Sequence, residues 1–193
     1  MEVDKRFLDE QDIITELNNP ERERNLEDYN IGGVWALFGK KKRKNNNTWF
    51  CLQVAQTGNI KKEIIADIKC LESKTDMKRK KKSYVNQFGE EMFFYYEYPS
   101  CREQLYNEIM KKYESLVFIC VCKGDDIPER KKIEKYFAWN AHALYWRNGG
   151  AYTEAKNYQE SKLNEMKKEI INEIINNKDL DNVIPKIRDL FFK

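Results

Sequence analysis

Apolar residues recur along this chain in two rhythms, and the rhythm changes several times. Phe7, Leu8, Ile13, Ile14 and Leu17 fall at helical spacing and stop before Asn18-Asn19-Pro20, which predicts an N-terminal helix. Ile31-Gly32-Gly33-Val34-Trp35-Ala36-Leu37-Phe38 is a continuous apolar run closed by Gly39. Thr48 to Val54 follows as its antiparallel partner. Thr57-Gly58-Asn59 supplies turn and capping chemistry for a helix that lines up Ile60, Ile64, Ile65, Ile68 and Leu71. A basic loop interrupts the pattern before a strand-like stretch from Glu91 to Tyr98. Ser100 and Glu103 then form a capping box for a helix with Leu105, Ile109 and Tyr113 inward.

The run from Leu116 to Val121 is continuous rather than alternating, as expected of a central strand buried on both faces. Gly124 to Pro128 opens another helix, with Ile133, Phe137 and Leu144 inward and Asn148-Gly149-Gly150 as its stop. A long helix from Thr153 carries Leu163, Met166, Ile170, Ile171, Ile174 and Ile175, and a short one holds Ile184, Ile187, Leu190 and Phe191. The expected fold is therefore α/β (α+β), a small mixed sheet flanked by helices. Residues 1–30 form an N-terminal helical extension, 31–150 the main domain and 151–193 a C-terminal helical extension.

Composition changes this picture only locally. The 193 residues include 35 Lys and Arg against 32 Asp and Glu, a net charge of +3, which by itself says little about partners. The excess is concentrated in Lys40, Lys41, Lys42, Arg43 and Lys44, and in Lys78, Arg79, Lys80, Lys81 and Lys82. Clustered cations of this kind suit DNA phosphates, since neutralising them releases counterions. Abundant lysine and asparagine elsewhere leave plain solvated loops as the competing explanation. No apolar run is long enough to span a bilayer, so no membrane partner is expected. Five cysteines without a paired framework and an N-terminus without an apolar leader point to the cytoplasm. Cys120 and Cys122, two residues apart in a strand, are expected on one face. The single histidine, His142, excludes His-rich zinc sites. It sits in an aromatic stretch from Tyr136 to Trp146 whose spacing favours core packing over base stacking.

The segment from Gly33-Val34-Trp35 through Gln53-Val54-Ala55 to Ile60 resembles the entrance of a GIY-YIG nuclease domain, and the element order over residues 31–148 is similar to that fold. In that family two tripeptides on neighbouring strands frame a DNA-cutting site. A tyrosine handles protons, an arginine grips phosphate, a glutamate binds the metal and an asparagine supports the site. The resemblance assigns the tyrosine positions to Trp35 and Gln53, the arginine position to Glu63, the metal ligand to Glu134 and the asparagine to Asn148. An indole N–H cannot accept a proton, and a neutral amide is no base at ordinary pH. A carboxylate in place of the arginine repels phosphate by roughly 4 kcal/mol at contact in a medium of intermediate dielectric.

Glu134 can still take Mg or Mn. Glu63 and Asp67, one helical turn apart, can join it in a carboxylate site. The resemblance thus implies a DNA-binding domain related to restriction or defence endonucleases with degraded chemistry. The alternatives are an active metal-dependent endonuclease with substituted residues, and a protein-interaction module that pairs or self-associates through the C-terminal helix.

Overall fold

The computed structural model describes residues 13–42, 49–72, 80–86, 88–96 and 101–146, with helical residues at 164–165, 168–169 and 171–172. Its centre is β2 (Gly33–Lys41), which hydrogen-bonds antiparallel to β3 (Trp49–Thr57) on one side and to β6 (Tyr113–Lys123) on the other. β1 (Ile13–Glu16) completes a four-stranded sheet of order β1-β6-β2-β3. A mixed sheet was expected; every pairing here is antiparallel. The N-terminal helix expected through Leu17 gives way, over Ile13–Glu16, to this edge strand. Four residues make too weak a helix, and their backbone groups find ladder partners along Val117–Ile119 instead. The short α1 (Arg22–Asn25) and a 3-10 turn at Glu27–Tyr29 lead into β2.

α2 (Ile60–Glu72) and α3 (Cys101–Lys112) cover one face of the sheet, and α4 (Ile127–Asn140) covers the other. The period-2 pleat of β2 feeds both layers. Val34, Ala36 and Phe38 join Ile133, Tyr136 and Phe137 of α4, while Trp35 and Leu37 join Ile60, Ile64, Ile68, Leu105 and Ile109. Residues from both elements fill each layer, so β2 is buried on both sides and reads as an unbroken apolar run. Gly33 has a packing reason to be glycine. A Cβ there would lie 2.3 Å from the Cys122 carbonyl oxygen and 2.7 Å from Ile60 Cδ1.

Two strands, β4 (Lys80–Val85) and β5 (Glu91–Tyr96), form a separate antiparallel ribbon. Lys80, Lys81 and Lys82 are thus strand residues, where a basic loop was expected, because pairing with Phe94–Tyr96 supplies their backbone partners. Register also separates the two cysteines of β6. Trp35 pairs with Cys120 and Val34 with Cys122, with a bulge between. One extra residue reverses the alternation, so Cys120 packs on the α2–α3 side and Cys122 on the α4 side.

α4 ends at Asn140, well before the expected stop. Ala143 N–H donates to the Ala138 carbonyl at 2.9 Å and His142 N–H to that of Trp139 at 3.2 Å, while His142 takes a left-handed φ of 52°. This is a Schellman closure with histidine where glycine usually sits. No helix among the described residues is long and apolar enough to cross a membrane. The remainder of the expected C-terminal helices, with the apolar stripe from Leu163 to Ile175, lies outside the described residues apart from the helical positions above.

Candidate functional site

Trp35 is only 1% exposed, with its ring 5.7 Å from that of Phe118 in the α2–α3 layer. Its indole N–H has no hydrogen-bond partner among the described residues. Gln53 pairs across the ladder with Leu37 and is half-buried. Its Oε1, too, lacks a described partner. Cross-strand partners share a face, so Gln53 belongs to the same side as Leu37 and Trp35. Glu63 is half-buried and Asp67 buried on α2, the helix over that side.

Glu134 is elsewhere. It projects from α4, and its Oε1 accepts from Trp146 Nε1 at 3.0 Å, in the layer on the opposite face of the sheet. The backbone of Gln56 in β3, the edge strand, also favours its charged form. Burial raises the Glu134 carboxyl above the ordinary range, and the Trp146 bond and the Gln56 backbone only partly offset it. The single cleft expected for Trp35, Gln53, Glu63 and Glu134 is therefore not formed. The pleat sends Trp35 to one face, while α4 delivers Glu134 to the other. The three-carboxylate arrangement of Glu63, Asp67 and Glu134 fails for the same reason. No group of three His, Cys, Asp or Glu side chains suited to a metal occurs among the described residues. Asn148 lies outside the described residues.

Glu134 has a structural task that its sequence position concealed. The edge of β3 is sealed by the segment after α4. Leu144 N–H donates to the Cys51 carbonyl at 3.2 Å and Tyr145 N–H to that of Leu52 at 2.8 Å. Glu134 anchors Trp146, the next residue along, at 3.0 Å. Tyr145 then enters one core layer and Trp146 the other. The aromatic stretch Tyr136 to Trp146 is thus mostly core, as its spacing predicts.

The basic runs are partly described. At the far end of β2, Lys40 Nζ lies 5.0 Å from the centre of the Trp49 ring and Lys41 Nζ 4.7 Å from that of Phe50. Lys42 Nζ donates to the Met110 carbonyl at 2.5 Å, and its N–H to that of Lys112 at 2.9 Å, which fixes this run to the C-terminal end of α3. Lys80, Lys81 and Lys82 lie in β4 and pair with the end of β5, the strand that leads into α3. Arg43, Lys44, Lys78 and Arg79 lie outside the described residues.

One polar cluster was not singled out as a site in the sequence. At the turn of the β4–β5 ribbon, Asn86 Oδ1 accepts from the N–H groups of Phe88 at 3.0 Å and Glu90 at 2.9 Å. Its Nδ2 donates to Glu90 Oε2 at 2.9 Å and to the Leu144 carbonyl at 3.3 Å. Glu90 Oε1 meets His142 Nε2 at 3.0 Å, and the Phe88 ring stacks on the imidazole with centroids 3.7 Å apart. The His142 bond holds Glu90 below the usual carboxylate range against the opposing effect of burial, helped by Asn86. Beside it, burial and the Glu90 charge push the Tyr113 phenol up to about 12, against a smaller opposing influence of Tyr145. Only the Asn86 to Gly89 turn chemistry hinted at this cluster; no local pattern ties residue 90 to residue 142.

The described cysteines are free, and Cys51 is raised well above the usual thiol range by burial, which makes it a poor nucleophile. No protein-family model, curated protein or solved structure matches this chain.

Proposed function

We propose that this chain is a DNA-binding domain related to GIY-YIG endonucleases that no longer cleaves phosphodiesters. The observation that carries the binding half is that one basic run is tied to α3 itself, at its C-terminal end, and the other lies in the ribbon packed on it. A duplex carries a charge about every 1.7 Å of axis, so separated basic patches can engage one segment of backbone. Lys40 and Lys41 are braced by aromatic rings, which limits the side-chain entropy lost on contact with phosphate.

The loss of cleavage is supported by the division of the family positions between the two faces. A nuclease needs its metal ligand and its proton-handling group at one phosphorus. Trp35 is sealed in one layer, and the Glu134 carboxylate serves Trp146 in the other. The metal-dependent endonuclease thus has less support than the binding domain.

Duplex binding measured across a salt series tests the reading. Log affinity should fall linearly with log salt, by about 0.9 for each phosphate neutralised. Replacing Lys80, Lys81 and Lys82 with glutamine should flatten that slope without altering sequence preference, and no nicking should occur with Mg or Mn. Absence of binding at low salt would favour the protein-interaction alternative. Nicking abolished by Glu134→Gln would establish the endonuclease.

A further inference from the structure

The β4–β5 ribbon has no strand pairing to the main sheet. A two-stranded ribbon is marginal alone, so its order depends on how it is docked. α3 supports it along β5, and its turn is held by the Asn86–Glu90 contacts to the residues that close α4. His142 occupies the left-handed position of that closure. Histidine is tolerated there better than most residues, but glycine fits at lower cost. The side chain in that position makes two contacts with the ribbon, the carboxylate of Glu90 at 3.0 Å and the face of Phe88 at 3.7 Å between centroids. Trp139, on the last turn of α4, backs the same Phe88 ring at 5.3 Å.

We infer that His142 and Glu90 form a proton-operated latch that fastens the β4–β5 ribbon to the end of α4, tighter when the imidazole is charged and looser when it is neutral. The sign follows from the chemistry of the pair. Histidine side chains ordinarily change charge between about pH 5 and 8. An imidazole carrying both protons meets the carboxylate as an ion pair, and one that has lost a proton keeps only a hydrogen bond to it. Glu90 stays ionised on the acidic side of the window because His142 and Asn86 both bond its carboxylate. The other titratable or charged groups facing this corner among the described residues do not supply the switch. Tyr113, raised to about 12, is neutral throughout the window. Glu108 and Lys112 of α3 are committed to each other at 2.6 Å. His142 is the chain's only histidine, so no second imidazole can mimic the effect. The inference does not depend on DNA binding.

Hydrogen–deuterium exchange of the full chain at pH 5.5 and pH 8.0, corrected for intrinsic exchange rates, tests it. Peptides covering 80–96 are compared with peptides covering 33–41 as an internal reference. The ribbon should lose about two- to five-fold of its protection relative to β2 as the pH rises, the range set by a half-exposed ion pair. Both His142→Asn, which keeps a residue suited to the left-handed position, and Glu90→Gln should abolish that pH-dependent difference. If His142→Asn fails to fold, Glu90→Gln alone decides, since it alters only a half-exposed turn side chain. A wild-type ribbon whose relative protection is independent of pH would overturn the latch, as would a pH ratio unchanged in Glu90→Gln.

Discussion

The two faces of the sheet share one strand, yet Trp35 on one and Glu134 on the other meet their surroundings in opposite ways. On the α2–α3 face, Trp35 is inserted among Ile, Leu and Phe side chains with its N–H unmatched by any described group. On the α4 face, the half-buried carboxylate of Glu134 accepts from the Trp146 indole. Trp35 gains from apolar volume with its N–H unmatched among the described residues. Glu134 bears the partial desolvation of a carboxylate and holds Trp146 in place. Residues that the family resemblance assigns to one site therefore do unrelated jobs on opposite sides of the sheet.

The largest expected effect breaks the apolar side of this contrast. Trp35→Ala should cost about 3–5 kcal/mol in chemical denaturation, the range for emptying a buried aromatic site. A loss below about 1 kcal/mol would mean that Trp35 is not the core residue described here.

On the other face, Glu134→Ala should cost about 1–3 kcal/mol, because it strands the Trp146 N–H. Glu134→Gln is the sharper probe, since an amide oxygen can still accept that bond without a charge. Burial raises this carboxyl in the folded state, so the folded protein binds its proton more readily than the unfolded chain does. The resulting penalty is absent below the unfolded carboxyl range and develops as pH rises through the folded value. Stability of Glu134→Gln relative to wild type should therefore improve from pH 4 to pH 7, as read from urea midpoints.

Gly33→Ala sharpens the comparison where the layers meet, since its Cβ would press on β6 and on α2 at once. The expected cost is about 1–3 kcal/mol of overpacking, measured by thermal or urea unfolding. The smallest effect belongs to the exposed corner. Glu90→Gln should cost under about 1 kcal/mol at neutral pH, because the pair is half open to water. Its sign with pH is opposite to that of Glu134. The Glu90 carboxyl is lowered in the folded state, so its contribution is lost as pH falls through the folded value, is present above the unfolded one, and weakens again at the pH where the latch loosens. Urea midpoints of wild type and Glu90→Gln should converge in acid.

Much of the fold was legible from local pattern. β2, β3, α2, α3, β6 and the start of α4 all fall where apolar spacing, the Asn59 cap and the Asp126–Pro128 opening put them. The stops were less legible. The end of α4 is set by His142, a residue whose left-handed conformation depends on what its side chain meets rather than on its own preference. β4 was hidden inside a lysine run because the partner that makes it a strand lies after a turn.

By itself the sequence determined which positions are apolar and most of the helical and extended segments, β1 and β4 excepted, since these follow from spacing along the backbone and from residue volume. It also fixed the supply of chemistry: one histidine, an indole and an amide at the two tripeptides, and basic runs at two places. Only the tertiary structure decided which face each residue serves. That decision rests on the pleat of β2, a one-residue bulge in β6 and the layer to which α4 is assigned, and each reverses or relocates side chains without changing a local pattern. The pairing of Glu90 with His142 belongs to the same class. Fifty-two positions apart, they meet because the ribbon folds back on the end of α4.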